Sequence, residues 1–149
     1  MDTKPKIIST NDNNFDFNAI GTHVKILVNG NESNGQEFTF QRGEEGMGPP
    51  PHYHDWDESF YVLKGNIEFT SGDDTHICEP GTLVYIPGGT VHGFKFCAGG
   101  GEMMEITGKG SNSVQLFSDI DSKLDPVNIN IEKVVKVFAD NGATVTLQE

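Results

Sequence analysis

Apolar and polar residues alternate over short stretches of this chain, and breaks rich in glycine and proline separate those stretches. Between His23 and Val28 the residues Val24, Ile26 and Val28 share one side, and from Gln36 to Gln41 Phe38 and Phe40 do the same. A period of two belongs to a strand with one face on a core. The polar run from Gly30 to Gly35 joins this pair as a hairpin. A second hairpin is tighter, because only Lys64 and Gly65 separate Ser59 to Leu63 from Asn66 to Thr70, and that glycine can take positive φ. Further short strands are expected at 75–78, 82–86, 92–97 and 102–107, with turns at 71–74, 87–89 and 98–101. This spacing predicts an all-β sandwich or barrel.

One helix is legible, at about residues 130–140. Ile131, Val134, Val135 and Phe138 fall at i, i+3, i+4 and i+7, with Asn130 placed to cap the start and Gly142 just beyond the end. Its single apolar stripe is expected to pack across one end of the barrel. Residues 1–14, with Asn11-Asp-Asn-Asn14, read as a polar, poorly ordered tail. Residues 15–149 then form a single domain, with no internal repeat.

Composition narrows the classes of function. The chain has 149 residues, enough for one core without disulfides, and a formal net charge of −12. Its few scattered basic residues argue against nucleic acid and against an anionic membrane surface as partners. No apolar run spans a bilayer and the N-terminus lacks the apolar core of a secretory signal, so a cytoplasmic protein is expected. Cys78 and Cys97 form no metal-spaced pair and are expected to be reduced thiols without a role.

The candidate chemistry lies in three of the five histidines. His52 and His54 are two apart, so an extended strand presents both imidazoles on one face. Glu58 follows four residues later with the same parity, after the turn Asp55-Trp-Asp57, and His92 arrives from another strand. Three neutral imidazoles and a carboxylate in an apolar cup suit one divalent transition ion, such as Mn, Fe, Co, Ni, Cu or Zn, with coordination positions left open. Phe40, Phe60, Tyr85, Phe94 and Phe96 are the candidates for a surrounding substrate pocket. Pro49-Pro-Pro51 is a stiff lead-in to the histidine strand.

These residues resemble the cupin superfamily. Its first motif is matched at every fixed position by Gly46, His52, His54, Glu58 and Gly65, and its second by Gly81, Pro87, Gly89 and His92, with Phe96 where the family usually has Asn. The two motifs span a metal-binding core at 46–96. The segments around His52 and Glu58 and the ending Lys133 to Ala139 look like small single-domain cupins of the quercetin 2,3-dioxygenase-like group. The resemblance implies an antiparallel jelly-roll β-barrel, often a homodimer through its edge strands. It also implies His52, His54, Glu58 and His92 as metal ligands, with Glu58 able to detach and act as a catalytic base. The activity so implied is that of a metal-dependent dioxygenase acting on a small, oxygen-rich aromatic or enol substrate. The alternatives are a cupin that binds a metal or small ligand without turnover, and a metal-dependent isomerase or lyase.

Overall fold

The computed structural model describes residues 3–147, and residues 1–2 of the expected tail and 148–149 of the expected domain lie outside it. Among the described residues, eleven strands form two facing sheets. One sheet carries β1 (Phe17–Asn18), β2 (Thr22–Val28), β3 (Glu37–Gly43), β5 (Glu58–Lys64), β8 (Leu83–Ile86) and β10 (Gly101–Thr107), in the order β1-β2-β3-β10-β5-β8. The other carries β4 (His52–His54), β6 (Ile67–Ser71), β7 (Asp74–Cys78), β9 (His92–Phe96) and β11 (Ala143–Val145), in the order β11-β4-β9-β6-β7. All strand pairs are antiparallel, as a jelly roll requires. The expected all-β architecture is therefore present, and the short β1, β4 and β11 complete it.

At one end the sandwich is filled by carbon. Phe60, Val62, Ile67, Phe69, Ile86, Phe96 and Met103 form a buried cluster in which Phe60 and Phe69 lie 5.1 Å apart, centroid to centroid. Burial of side chains of this size contributes roughly 1.5–3 kcal/mol each. Both cysteines are free thiols, Cys78 buried at the edge of this cluster, where burial pushes its pKa up.

The other end is covered by two helices, where one was expected. α2 (Ile131–Asp140) is the legible one, and its Asn130 side chain accepts from the backbone N–H groups of Glu132 and Lys133, an N-cap. α1 (Ser113–Lys123) precedes it, buries Leu116 and Ile120, and packs with α2 and β11 around Val134, Val137, Phe138 and Val145. The two are tied by Asn141, whose side chain accepts from Asn112 and donates to Asp119 on α1.

The inner and outer faces of β3 are the reverse of the expected ones. Glu37, Thr39 and Gln41 are buried facing the second sheet, while Phe40 is buried on the opposite face. The cause is the N-terminal segment. Phe15 stacks on Phe40 at 6.1 Å, Arg42 lies 5.1 Å over the Phe15 ring, and Asn13 accepts from Arg42. An aromatic row otherwise open to water is thus roofed from outside, which frees the inner face for polar residues. Residues 3–14 hold no helix or strand, but Asp12 pairs with the largely buried Lys25 at 2.6 Å and Lys6 with Glu32 at 2.9 Å.

Candidate metal centre

β4 is three residues long and supplies two of the histidines. It pairs with β9 so that His52 lies directly opposite His92, and the rings are 4.5 Å apart. The bend at 55–57 then carries the chain across the sandwich into β5, whose first residue is Glu58. The parity of Glu58 with the histidines therefore has a different origin from that expected. The imidazoles rise from one sheet and the carboxylate descends from the other. The turn at Pro87 to Gly89 holds the crossing in place, with the N–H of Gly88 donating to Asp57 and that of Gly89 to the carbonyl of His54. Gly88 sits so close to the carbonyl of Asp55 that a Cβ would overlap it, a physical requirement for glycine there.

The ligand nitrogens of His52, His54 and His92 lie within 4.8 Å of one another, and all three side chains are buried. Each ring is held by a backbone carbonyl two residues away. His52 Nδ1 is 2.9 Å from the oxygen of Pro50, His54 Nδ1 3.0 Å from that of Trp56, and His92 Nδ1 2.8 Å from that of Thr90. A carbonyl only accepts, so every Nδ1 carries its hydrogen, and on a neutral ring the Nε2 is then the nitrogen whose lone pair can serve a metal. Fixing the tautomer in this way is what metal sites do with their outer contacts. The three imidazoles can hold a divalent transition ion.

Glu58 Oε2 lies 2.7 Å from His54 Nε2 and 2.9 Å from His92 Nε2. Each contact needs a proton on the Nε2 that makes it, and a divalent cation would replace those protons. Burial alone would raise the Glu58 pKa, but the hydrogen bonds from His54 and His92 outweigh it and hold the carboxyl well below its usual range. Burial also lowers His92, yet the bond to Glu58 and its charge raise the imidazole above its ordinary value. His52 has no such partner. Burial, then the charge of His92, lowers it to about 4.

Above the cluster lies a cavity of about 330 Å³, walled on one side by the two sheets and on the other by Leu116, Phe117, Ile120, Ile131, Val134 and Phe138 of the helices. Of the five expected pocket residues, Phe94 lines it. Phe60 and Phe96 are 1% exposed and belong to the filled end, where they pack rather than face a ligand. Phe40 lies under Phe15, and Tyr85 is 58% exposed on the outer face of β8 because Ile86 takes the inward position. Gln41, Trp56 and Glu105, none of them expected there, are among the residues that line the cavity instead. Gln41 Nε2 donates to Thr39 and to Glu105, and burial followed by the charge of Glu58 raises the pKa of Glu105 well above the ordinary value. The trace that Gln41 and Glu105 leave in the sequence is their place in the alternations Glu37-Phe-Thr-Phe-Gln41 and Met103-Met-Glu-Ile-Thr107.

Residues 36–107 match the family described as the Cupin domain. The chain carries a cupin domain. Its fold is shared with KdgF from Halomonas sp., at 16% identity over 74% of this chain and 99% of that one, with a TM-score of 0.67. The polyketide cyclase RemF from Streptomyces resistomycificus is similar at 22% identity over 70% and 79% of the two chains, with a TM-score of 0.61. A salicylate 1,2-dioxygenase from Pseudoaminobacter salicylatoxidans is similar at 15% identity over 58% of this cupin chain and 25% of that one, with a TM-score of 0.52. Comparison with curated protein sequences finds no match. Among the described residues, no helix of this cupin is long and apolar enough to cross a membrane.

Proposed function

We propose that this cupin is a metal-dependent enzyme of dioxygenase type, which acts on a small, mainly apolar aromatic or enol molecule bearing oxygen. The observation that carries this is the placement of three convergent imidazoles and the buried carboxylate of Glu58 at the floor of a mainly apolar cavity. His52, His54, His92 and Glu58 would hold the ion, which when bound supplies Lewis acidity toward a substrate hydroxyl. The protein's own part is positional. The three carbonyl contacts fix the rings, the helices exclude water, and Glu58, hydrogen-bonded to two imidazoles, is placed to take a proton at Oε2 and pass it on. The names of two fold neighbours, a polyketide cyclase and a salicylate dioxygenase, accord with a ring-bearing substrate.

The test is oxygen uptake by protein loaded in turn with Mn, Fe, Co, Ni, Cu and Zn, across flavonols, catechols and diketones. Uptake that follows metal content and disappears in Glu58→Gln is expected. Substrate consumption without oxygen uptake would move the activity to the isomerase or lyase class, and tight binding without consumption would make the protein a ligand-binding cupin.

A further inference from the structure

β1 and β2 are joined by a turn of two residues, Ile20 and Gly21. Ala19 and Thr22 close it by exchanging backbone hydrogen bonds, 2.8 Å from the N–H of Ala19 and 3.3 Å from that of Thr22. Both central residues have positive φ, 48° at Ile20 and 81° at Gly21, as a type I′ hairpin turn requires. Such a turn favours Asn, Asp or Gly at its first central position, because a short polar side chain tolerates the left-handed region and a β-branched one crowds its own backbone there. Asn13 is the one other non-glycine residue with positive φ among the described residues, and asparagine suits that conformation. Isoleucine at position 20 does not.

The turn is pinned by its neighbours and cannot relax by shifting. Asn18 Oδ1 accepts from the N–H of Gly21 at 2.9 Å, the carbonyl of Gly21 accepts from the N–H of Glu44 at 3.0 Å, and a Cβ at position 21 would overlap the Met47 side chain. What the unfavourable residue gains is the position of its side chain. Ile20 packs against the apolar cluster that α1 and α2 form, and, being only half-buried, it lines the cavity above the metal centre with surface that a ligand can touch. Strain that a fold retains beside a ligand cavity points to function. An apolar wall already fixed before a ligand arrives also costs no ordering when it binds.

We propose that Ile20 is a specificity-determining residue. The strained turn holds its side chain as a fixed wall between the sheet and the helices, and that wall limits how wide an apolar body can lie in the cavity. This rests on the cavity being the small-molecule site of the proposed function, and it is independent of the metal and of the type of reaction.

The probes are 2-naphthol and 1-pyrenol, which carry the same hydroxyl on ring systems of different width. Equilibrium dialysis of the full chain, read by probe fluorescence, gives both affinities, with bound metal measured on the same samples. Ile20→Gly suits the turn and removes the wall. It should raise the affinity for 1-pyrenol relative to 2-naphthol by about tenfold, since even one methylene in an apolar pocket discriminates by about that factor or more. Ile20→Asn suits the turn as well but keeps a side chain there, now polar. It should weaken both probes severalfold without shifting their ratio, and should unfold in urea at a midpoint no lower than that of the wild type. An affinity ratio unchanged in Ile20→Gly, or a loss of stability in both variants, would overturn the proposal and leave Ile20 as ordinary packing. Binding of neither probe by any of the three proteins would overturn the small-molecule reading of the cavity and this proposal with it. The expected shift in ratio, found in protein that takes up no metal or oxygen, would uphold the proposal and remove the dioxygenase reading alone.

Discussion

The imidazole of His54 and the indole of Trp56 lie face to face, 4.0 Å apart and 4° from parallel. Trp56 is the only tryptophan in the chain. Its emission therefore reports directly on the ring proposed to hold the ion. Titration with Ni²⁺ or Cu²⁺ should quench that emission and saturate at one ion per chain, and His54→Ala should abolish the response. An unchanged spectrum in protein shown by elemental analysis to have taken up metal would place the ion elsewhere.

His54→Ala should lose metal retention yet keep the far-ultraviolet circular dichroism of a folded β protein, because the filled end of the sandwich does not depend on the ion. Phe60→Ala should do the reverse. Phe60 is 1% exposed in the main cluster, and its truncation should cost about 3–5 kcal/mol in urea unfolding while metal content stays at one ion per chain. Equal stability of the two variants would contradict this division.

Acid should weaken metal binding, because protons compete for the imidazole nitrogens. The site is uneven, however. His52 is lowered to about 4 by burial and then by the charge of His92, so above about pH 5 it binds no proton that the ion must displace. His92 is raised by its bond to Glu58, against the effect of burial, so protons compete for it up to a higher pH than for an ordinary histidine. The logarithm of affinity should thus rise with pH between 5 and 8 with a slope below three protons per ion, as calorimetry in several buffers can measure. A flat profile would show that histidines do not hold the metal, and a slope of three would show that His52 is not buried as described.

Glu105 gives a separate pH signature. Burial and the charge of Glu58 raise its pKa in the folded protein, so above about pH 4.5 the native state binds more protons at this residue than the unfolded chain does. Its contribution to stability is present below that pH and is lost as pH rises through the folded value. Glu105→Gln, a neutral isostere, should therefore gain on the wild type in urea unfolding as pH goes from 5 to 8. A stability difference that is constant across that range would mean that the carboxyl ionises normally.

The histidines were legible in the sequence because their meaning depends only on spacing. Residues two apart in a strand share a face whatever the rest of the fold does, and His52 and His54 needed nothing more. Gln41 and Glu105 were not, because Glu37-Phe-Thr-Phe-Gln41 has two faces and local pattern assigns the aromatic one to the core. The choice was made by Phe15, more than twenty residues away, which covers Phe40 from outside. Tyr85 sits in Leu83-Val-Tyr-Ile86, where every residue is apolar or aromatic and alternation carries no information about which face is wet. α1 and its C-cap place Leu116, Ile120 and Leu124 at steps of four, but serines and aspartates dilute the stripe and Asn112 makes no side-chain cap bond. Such a helix is stabilised by docking on α2 more than by its own propensity.

Because the imidazoles belong to one sheet and Glu58 to the other, an ion held by all four would rivet the two halves of the sandwich. Any breathing motion that parts the sheets at the helical end must then break a metal bond as well as apolar contacts. At a hundredfold excess over its dissociation constant, a ligand bound only by the native state adds about 2.7 kcal/mol to stability. That increment would fall on openings that separate β4 and β9 from β5, while the hairpin of β6 and β7 at the far edge could still fray at its own rate. Amide exchange would then slow together on both sides of the seam, as if two sheets without shared strands had become one cooperative unit.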